Sequence, residues 1–195
     1  MKKMLLILAL SVFGFANAQK GTVLVGGNIS YNSNKIDRED APAKTDAFAF
    51  SPKVGYQFHE NWTSGVEFAL ISSKSTLGEG EGKSNEYKIG AFVRYTYPLS
   101  ETFSVFADLG AGFKSQKDKG YDDGLLQYEN KGNGFYTGLT PALFINMKKG
   151  FGLNFSIGGL GYETLSYDND GNDVDSSQFY FNFGKTINIG VSKNF

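Results

Sequence analysis

The sequence predicts an all-β fold: an eight-stranded antiparallel up-and-down β-barrel that crosses a bilayer with its strands. Three observations carry this. The last stretch, Phe179 to Phe195, alternates without a break, with Phe, Ile, Val and two lysines on odd positions and Tyr, Asn, Gly, Thr and Ser on even ones. Such alternation is a strand with one apolar and one polar face. Seven further stretches behave alike, joined by connections that run long, short, long, short, long, short, long. Finally, glycine is abundant (25), aromatic residues make up 15%, and proline is scarce (4), a strand-and-turn composition.

In chain order, the first strand runs from about Thr22 to Tyr31, and the polar stretch Asn32–Asp46 reads as a loop. The second sets Phe48, Phe50, Pro52, Val54, Tyr56 and Phe58 against Ala49, Ser51, Lys53, Gly55 and Gln57. His59-Glu60-Asn61 turns the chain. The third strand returns with Trp62, Val66, Phe68 and Leu70 against Thr63, Gly65, Glu67 and Ala69, and Ser72–Asn85 reads as a second loop. In the fourth, Tyr87, Ile89, Val93, Tyr95 and Tyr97 oppose Lys88, Gly90, Phe92 and Arg94. After the turn at Pro98–Thr102, the fifth sets Phe103, Val105, Leu109 and Phe113 against Phe106, Asp108, Gly110 and Gly112. Lys114–Asn133 reads as the longest loop. The sixth strand (about Phe135 to Met147) turns at Lys148-Lys149-Gly150 into the seventh, beginning at Phe151, and an acidic loop from about Glu163 to Ser177 precedes the last. This connection pattern puts the long loops at one end of the sheet and the short turns, with both termini, at the other.

At 195 residues one domain is the expectation. Residues 1–18 have the layout of a secretory signal peptide: Lys2 and Lys3, an apolar run from Met4 to Phe15, and Ala16-Asn17-Ala18 as cleavage site. That leaves a barrel domain over 19–195. The apolar run is too short to span, and no other approaches the ~18 residues of a membrane helix. Removing Lys2 and Lys3 takes the net charge from −1 to −3, which excludes the basic surface of a nucleic-acid binder. Without cysteine there is no disulfide, thiolate metal site or lipidated cysteine.

A soluble lipocalin-like barrel has the same alternation with its apolar face inside. Here the polar face carries glycines and few large side chains, which suits a narrow interior, while the apolar face is nearly free of charge, as a lipid-facing band requires. Tyr56, Phe58, Trp62, Tyr95, Tyr97, Phe103, Phe151 and Phe195 gather at the turn ends as an interfacial girdle. Lys193 and Lys185 then fall near the two edges of a band about 25 Å tall, where lysines snorkel, and Phe179–Phe183 is expected to project beyond it.

The A-x-A signal, the eight alternating strands, the long loops at one end and the ending INIGVSKNF resemble small outer-membrane β-barrel proteins: the OmpX-like group, the transmembrane domain of OmpA-like proteins and the outer-membrane β-barrel domain family. The resemblance covers essentially the whole mature chain. It implies an outer-membrane location with periplasmic termini, contact with outer-membrane lipid and lipopolysaccharide, and recognition of Phe195, with Val191 and Ile189 behind it, by the barrel-assembly machinery. Where the family usually has an aromatic residue two positions before the end, this chain has Lys193.

The inward face holds five charges, Lys53, Glu67, Lys88, Arg94 and Asp108. If Phe58 lies opposite Trp62, counting back five residues sets Lys53 opposite Glu67, and one register of the next hairpin sets Arg94 opposite Asp108. Buried charges demand partners, so an ionic plug filling the interior is expected. The alternative is a network gating a narrow channel for ions or small solutes. The stretch Asp168–Asp175 invites a calcium reading, but an EF-hand frame on Gly171 puts Ser166 first and Ser177 last, a poor fit, so a solvated loop is expected. His59, the one histidine, sits in a turn at the end opposite the long loops, and no other general base of the right type is placed for acyl chemistry. The expectation is a monomeric, non-enzymatic barrel without cofactor or metal. Its long loops would meet an extracellular partner or stabilise the envelope; conduction is the alternative.

Overall fold

A computed structural model describes residues 21–37, 42–148, 151–168 and 174–195, without the side chains of 148, 168 and 185–187. The expected signal peptide, the centre of the acidic stretch (169–173) and Lys149-Gly150 lie outside the described residues, as does the Lys185 side chain and hence its expected snorkelling. Eight strands form one antiparallel meander closed into a barrel: β1 (Val23–Ile36), β2 (Ala43–His59), β3 (Trp62–Leu77), β4 (Gly80–Pro98), β5 (Phe103–Asp122), β6 (Leu125–Lys148), β7 (Phe151–Asp168) and β8 (Val174–Asn194). No helix among the described residues is long and apolar enough to cross a membrane; the strands are the spanning elements.

The faces divide as alternation requires. Phe92, Leu24 and Phe106 are buried inside, with Thr63, Arg94, Asp108 and Lys114, whereas Ile29, Val66, Ile89, Leu109, Phe113, Phe135 and Ile189 point outward and are exposed. An exposed apolar belt on a closed barrel is a surface made for lipid. Along β4 the outward row reads Tyr97, Tyr95, Val93, Ala91, Ile89, Tyr87 before turning polar at Asn85, Lys83 and Glu81. Tyr97 to Tyr87 covers about 25 Å along the barrel axis at usual rise and tilt, the height of an apolar band. Phe103 to Phe113 on β5 repeats it. At the turn end, Phe58, Trp62, Tyr95, Tyr97, Phe103, Phe151 and Phe195 are exposed, Tyr56 is half-buried, and the Trp62 and Tyr95 rings lie 4.9 Å apart.

The strands are longer than the sequence suggests. Most of the stretches expected as long loops are strand extensions carrying the wall beyond the band, away from the termini. β3 and β4 meet across Gly78-Glu79, with Gly78 at φ 57°; β5 and β6 meet across Asp123-Gly124, at φ 46° and 74°. Two successive positive φ values make the tight hairpin for which Asp-Gly is the strongest short signal. The extensions are held by outward cross-strand charge pairs: Lys74–Glu81 at 2.5 Å, Lys117–Glu129 at 2.8 Å and Lys119–Glu129 at 3.0 Å.

Two irregularities shape the last strands. At Gly158 (φ 118°) β7 gains a residue relative to β6, so the inward positions change from even (Asn154, Ser156) to odd (Gly161, Glu163, Leu165). On β8 the four residues 184–187 lie opposite Ile157 alone, between the pairs Ser156–Asn188 and Gly158–Phe183. The ladder therefore shifts by three residues, which sets Phe181 beside Leu160 and Phe179 beside Tyr162. Those partners lie in turn beside Leu139 and Thr137 of β6, rows that belong to the apolar band. Phe179–Phe183 thus does not project beyond the membrane; its aromatic character fits a lipid-facing position.

Candidate functional site

The interior between the faces is the candidate site, and register brings its members together. β2 and β3 pair Lys53 with Glu67, and β4 and β5 pair Arg94 with Asp108. The turn that leads there differs from the expectation: His59, not Phe58, meets Trp62, and a bulge between Gln57 and His59 takes up the offset. From Gln57–Thr63 inward the count is unchanged.

Register alone does not decide the contacts. Lys53 Nζ lies 3.6 Å from Glu67 but donates across the lumen to Asp108 Oδ2 at 2.7 Å. Arg94 grips the same carboxylate with Nε on Oδ1 (2.6 Å) and Nη2 on Oδ2 (2.8 Å). This planar two-point pairing is the strong form of an ion pair. The guanidinium stacks 3.7 Å from the Phe106 ring centre, and the Lys53 ammonium lies 4.9 Å from that of Phe92. Four strands thus converge on one layer, anchored by Asp108.

A second layer lies further from the termini. Glu163 accepts from Lys88 at 2.6 Å and from Lys114 at 2.7 Å; Glu86 is 3.1 Å from Lys88 and 3.2 Å from Lys114. Tyr136 joins the layers: its hydroxyl donates to Glu67 Oε1 at 2.9 Å while Lys88 stands 5.4 Å over its ring. Across both layers four cations (Lys53, Lys88, Arg94, Lys114) meet four carboxylates (Glu67, Glu86, Asp108, Glu163). Gly110 makes room for this crossing, because a Cβ there would strike the Glu67 carboxylate. Of the second layer, alternation in the sequence places only Lys88 inside. Lys114 and Glu163 are the first residues of stretches expected as loops, and Glu86 lies between the expected loop Ser72–Asn85 and the strand that begins at Tyr87. The Asp123-Gly124 hairpin signal would have recovered Lys114 and Glu86, and Gly158-Gly159, as a bulge, Glu163.

Beyond the band the charges are solvated and belong to the hairpins. Hydrogen bonds from Lys117 and Lys119 hold the Glu129 carboxyl down at about 2. A carboxyl lowered in the folded state contributes stability that is present above its unfolded value, near 4.3, and lost as pH falls through about 2. The expected outcome is that amide protection in the β5–β6 extension, measured by hydrogen exchange relative to band amides, holds at pH 5 and declines toward pH 2. Glu129→Gln should flatten that dependence; an unchanged decline in the variant would assign it to other groups. Among the described residues no cluster of three carboxylate or imidazole groups is arranged to hold a metal.

Comparison with known proteins follows the same lines. The family described as "Outer membrane protein beta-barrel domain" matches over residues 4–195. No curated protein sequence matches. Among solved structures, a major outer membrane protein from Thermus thermophilus superposes with a TM-score of 0.57 at 14% identity, covering 91% of this chain and 100% of that one. The translocator domain of the autotransporter NalP from Neisseria meningitidis gives 0.47 at 14% identity, over 91% of this chain and 66% of that one. Ail, the attachment invasion locus protein of Yersinia pestis, gives 0.45 at 15% identity, over 90% and 97%. At such identity the Thermus protein is a likeness of fold alone. With its lipid-facing belt and closed meander, the chain belongs to the outer membrane protein beta-barrel domain family, and its place is the bacterial outer membrane.

Proposed function

We propose that this barrel is a non-conducting, non-catalytic surface-interaction protein, with its termini in the periplasm and its strand extensions outside the cell. The observation that carries the reading is the filling of the interior: Phe92 is 1% exposed, and around it Leu24, Phe106, Arg94 and Asp108 are all buried. An eight-stranded wall encloses little more than its own side chains. Conduction through this one requires the Arg94–Asp108 pair and two phenyl rings to leave the axis. What the protein offers its surroundings is therefore its outside: an apolar belt for outer-membrane lipid, and beyond it hairpins bearing Lys74, Lys83, Lys117, Lys119 and Lys131 with Glu81 and Glu129. These lysines suit lipopolysaccharide phosphates near the band and an acidic partner further out. Phe195 is exposed at the periplasmic rim, where the assembly machinery would read it with Val191 and Ile189.

Two measurements test the reading. In planar bilayers the wild type and the Glu67→Ala and Arg94→Ala variants should all give no unitary current steps; regular steps in the wild type would replace this reading with the narrow-channel one. Cells displaying the barrel should bind a partner surface, and replacing 117–131 by a short turn should abolish that binding. Retention of binding by the trimmed barrel would remove the extensions from the role.

A further inference from the structure

Just beyond the apolar band, β3 to β6 set lysine opposite lysine. Lys74 faces Lys83 across β3 and β4, Lys83 faces Lys119 across β4 and β5, and Lys117 faces Lys131 across β5 and β6. All five point outward. Like charges directly opposite one another on a sheet repel, so such pairs side by side cost stability unless anions lie among them. The wall supplies two anions: Glu81 takes Lys74 and Lys83, and Glu129 takes Lys117, Lys119 and Lys131. Five lysines against two carboxylates leave the patch positive, and Lys83 and Lys119 share no carboxylate across its middle. Of the Lys74, Lys83, Lys117 and Lys119 side chains 30 to 48% stays exposed, so the carboxylates organise these cations without covering them.

Depth and side narrow what completes the patch. Lys74, Lys83 and Lys117 each stand four residues past the last outward apolar side chain of the band on their strand, Leu70, Tyr87 and Phe113. That is about 10 Å along the axis at usual rise and tilt, and a lysine stem bent back from there puts its ammonium at the headgroup layer, roughly 5–7 Å deep. Further round the barrel, the outward pairs Thr164–Ser177 and Ser166–Asp175 of β7 and β8 hold no cation. Sign and depth together describe the phosphate of an outer-leaflet lipid head, and the one-sided placement describes a single seat. Ammonium groups on flexible stems are point charges that suit phosphate oxygens. The two lysine–glutamate clusters lie two strand spacings apart, about 10 Å, with Lys83 and Lys119 facing each other between them. A head with two phosphates matches that spacing better than a head with one.

We propose that the outward face of β3–β6 seats one outer-leaflet lipid with a diphosphorylated head, its phosphates among Lys74, Lys83, Lys117 and Lys119. This deepens the surface-interaction reading and rests on it in placing the extensions outside the cell. The test uses the full barrel refolded from urea into dodecyl maltoside with EDTA, so that neither carried-over lipid nor divalent ions intervene. Diphosphoryl lipid A is the probe, followed by native mass spectrometry. It should be retained one per barrel, roughly fivefold or more tightly than monophosphoryl lipid A with the same acyl chains, and millimolar pyrophosphate should not displace it. The double variant Lys83→Gln/Lys119→Gln should weaken retention roughly tenfold or more and remove the preference for the second phosphate. Lys35→Gln removes an equal charge from β1, outside the patch, and should change retention less than about twofold. Heat-modifiable migration checks folding; should the double variant not fold, Lys83→Gln alone decides, with a loss of roughly threefold or more. No retention by the wild type, equal retention of the monophosphoryl lipid, or displacement by pyrophosphate, the mark of a soluble-anion site, would overturn the proposal. So would a folded patch variant that behaves like Lys35→Gln. All of these outcomes are read with lipid alone, so a failure here is distinct from a failure of the cell-binding test.

Discussion

Replacing Asp108 by alanine is expected to cost roughly 3–5 kcal/mol of folding stability, the cost of breaking a buried ionic cluster by removing one partner. Asp108 is 6% exposed, and its two oxygens take Arg94 twice and Lys53 once. Without it, Arg94 keeps its stacking on the Phe106 ring but loses both of its ionic hydrogen bonds, and Lys53 is left with Glu67, 3.6 Å away and already receiving the Tyr136 hydroxyl. Urea titration of the barrel in lipid vesicles, followed by the folded band's mobility, measures the loss. Adding Arg94→Met should recover part of it, since the stranded guanidinium is gone and the thioether can lie on Phe106; the double variant is expected to be more stable than the single by about 1–3 kcal/mol. Such non-additivity distinguishes a charge cluster from mere lost packing. A loss below about 1 kcal/mol in the single variant would mean that the layer is solvated and the plug is not one.

The membrane-spanning part of this architecture was legible because lipid imposes it. Each outward position from Tyr97 to Tyr87, or from Phe103 to Phe113, must be apolar, so period two survives in the sequence, and short turns fix the count that aligns Lys53 with Glu67 and Arg94 with Asp108. Past the band the constraint ends. Water meets the outer face there, and residues such as Lys74, Lys83 and Lys117 satisfy a strand as well as a loop. Their composition misleads, and only Gly78 and Asp123-Gly124 mark where the chain reverses. Glu86, Lys114 and Glu163 escape the pattern for this reason: the strands that carry them inward continue without a change of composition that would mark them as strand. The course of the last strand was less legible still. The register shift that sets Phe179–Phe183 into the lipid band is encoded mainly by two glycines with positive φ. Cross-lumen choice of partners, Lys53 for Asp108 over its neighbour Glu67, depends on side-chain reach across a closed wall, which no one-dimensional count contains.

Immediately beside Asp108 the chain faces the other solvent, and the second large effect is expected there. Leu109 is 56% exposed and stands in the inner part of the outward row of β5 that runs from Phe103 to Phe113. An arginine at that depth has no lumen to turn into, because β5 neighbours Val93 and Leu139 present apolar side chains on both sides. Leu109→Arg should therefore cost about 2–4 kcal/mol in vesicles, while Phe113→Arg, at the far rim where the side chain can snorkel, should cost only about 0–1 kcal/mol. The native chain places its own outward lysine, Lys193, at the opposite rim, with the ammonium 4.3 Å over the Phe195 ring. Depth, not charge as such, is what the comparison isolates: both variants carry the same cation on the same strand, four residues apart. Equal small losses at both positions would mean that the lipid band is not centred on Leu109, and the outward row would lose its assignment as the spanning face. A large loss at Leu109 alone fixes the barrel's height in the membrane, and with it the depth at which the Arg94–Asp108 layer closes the lumen.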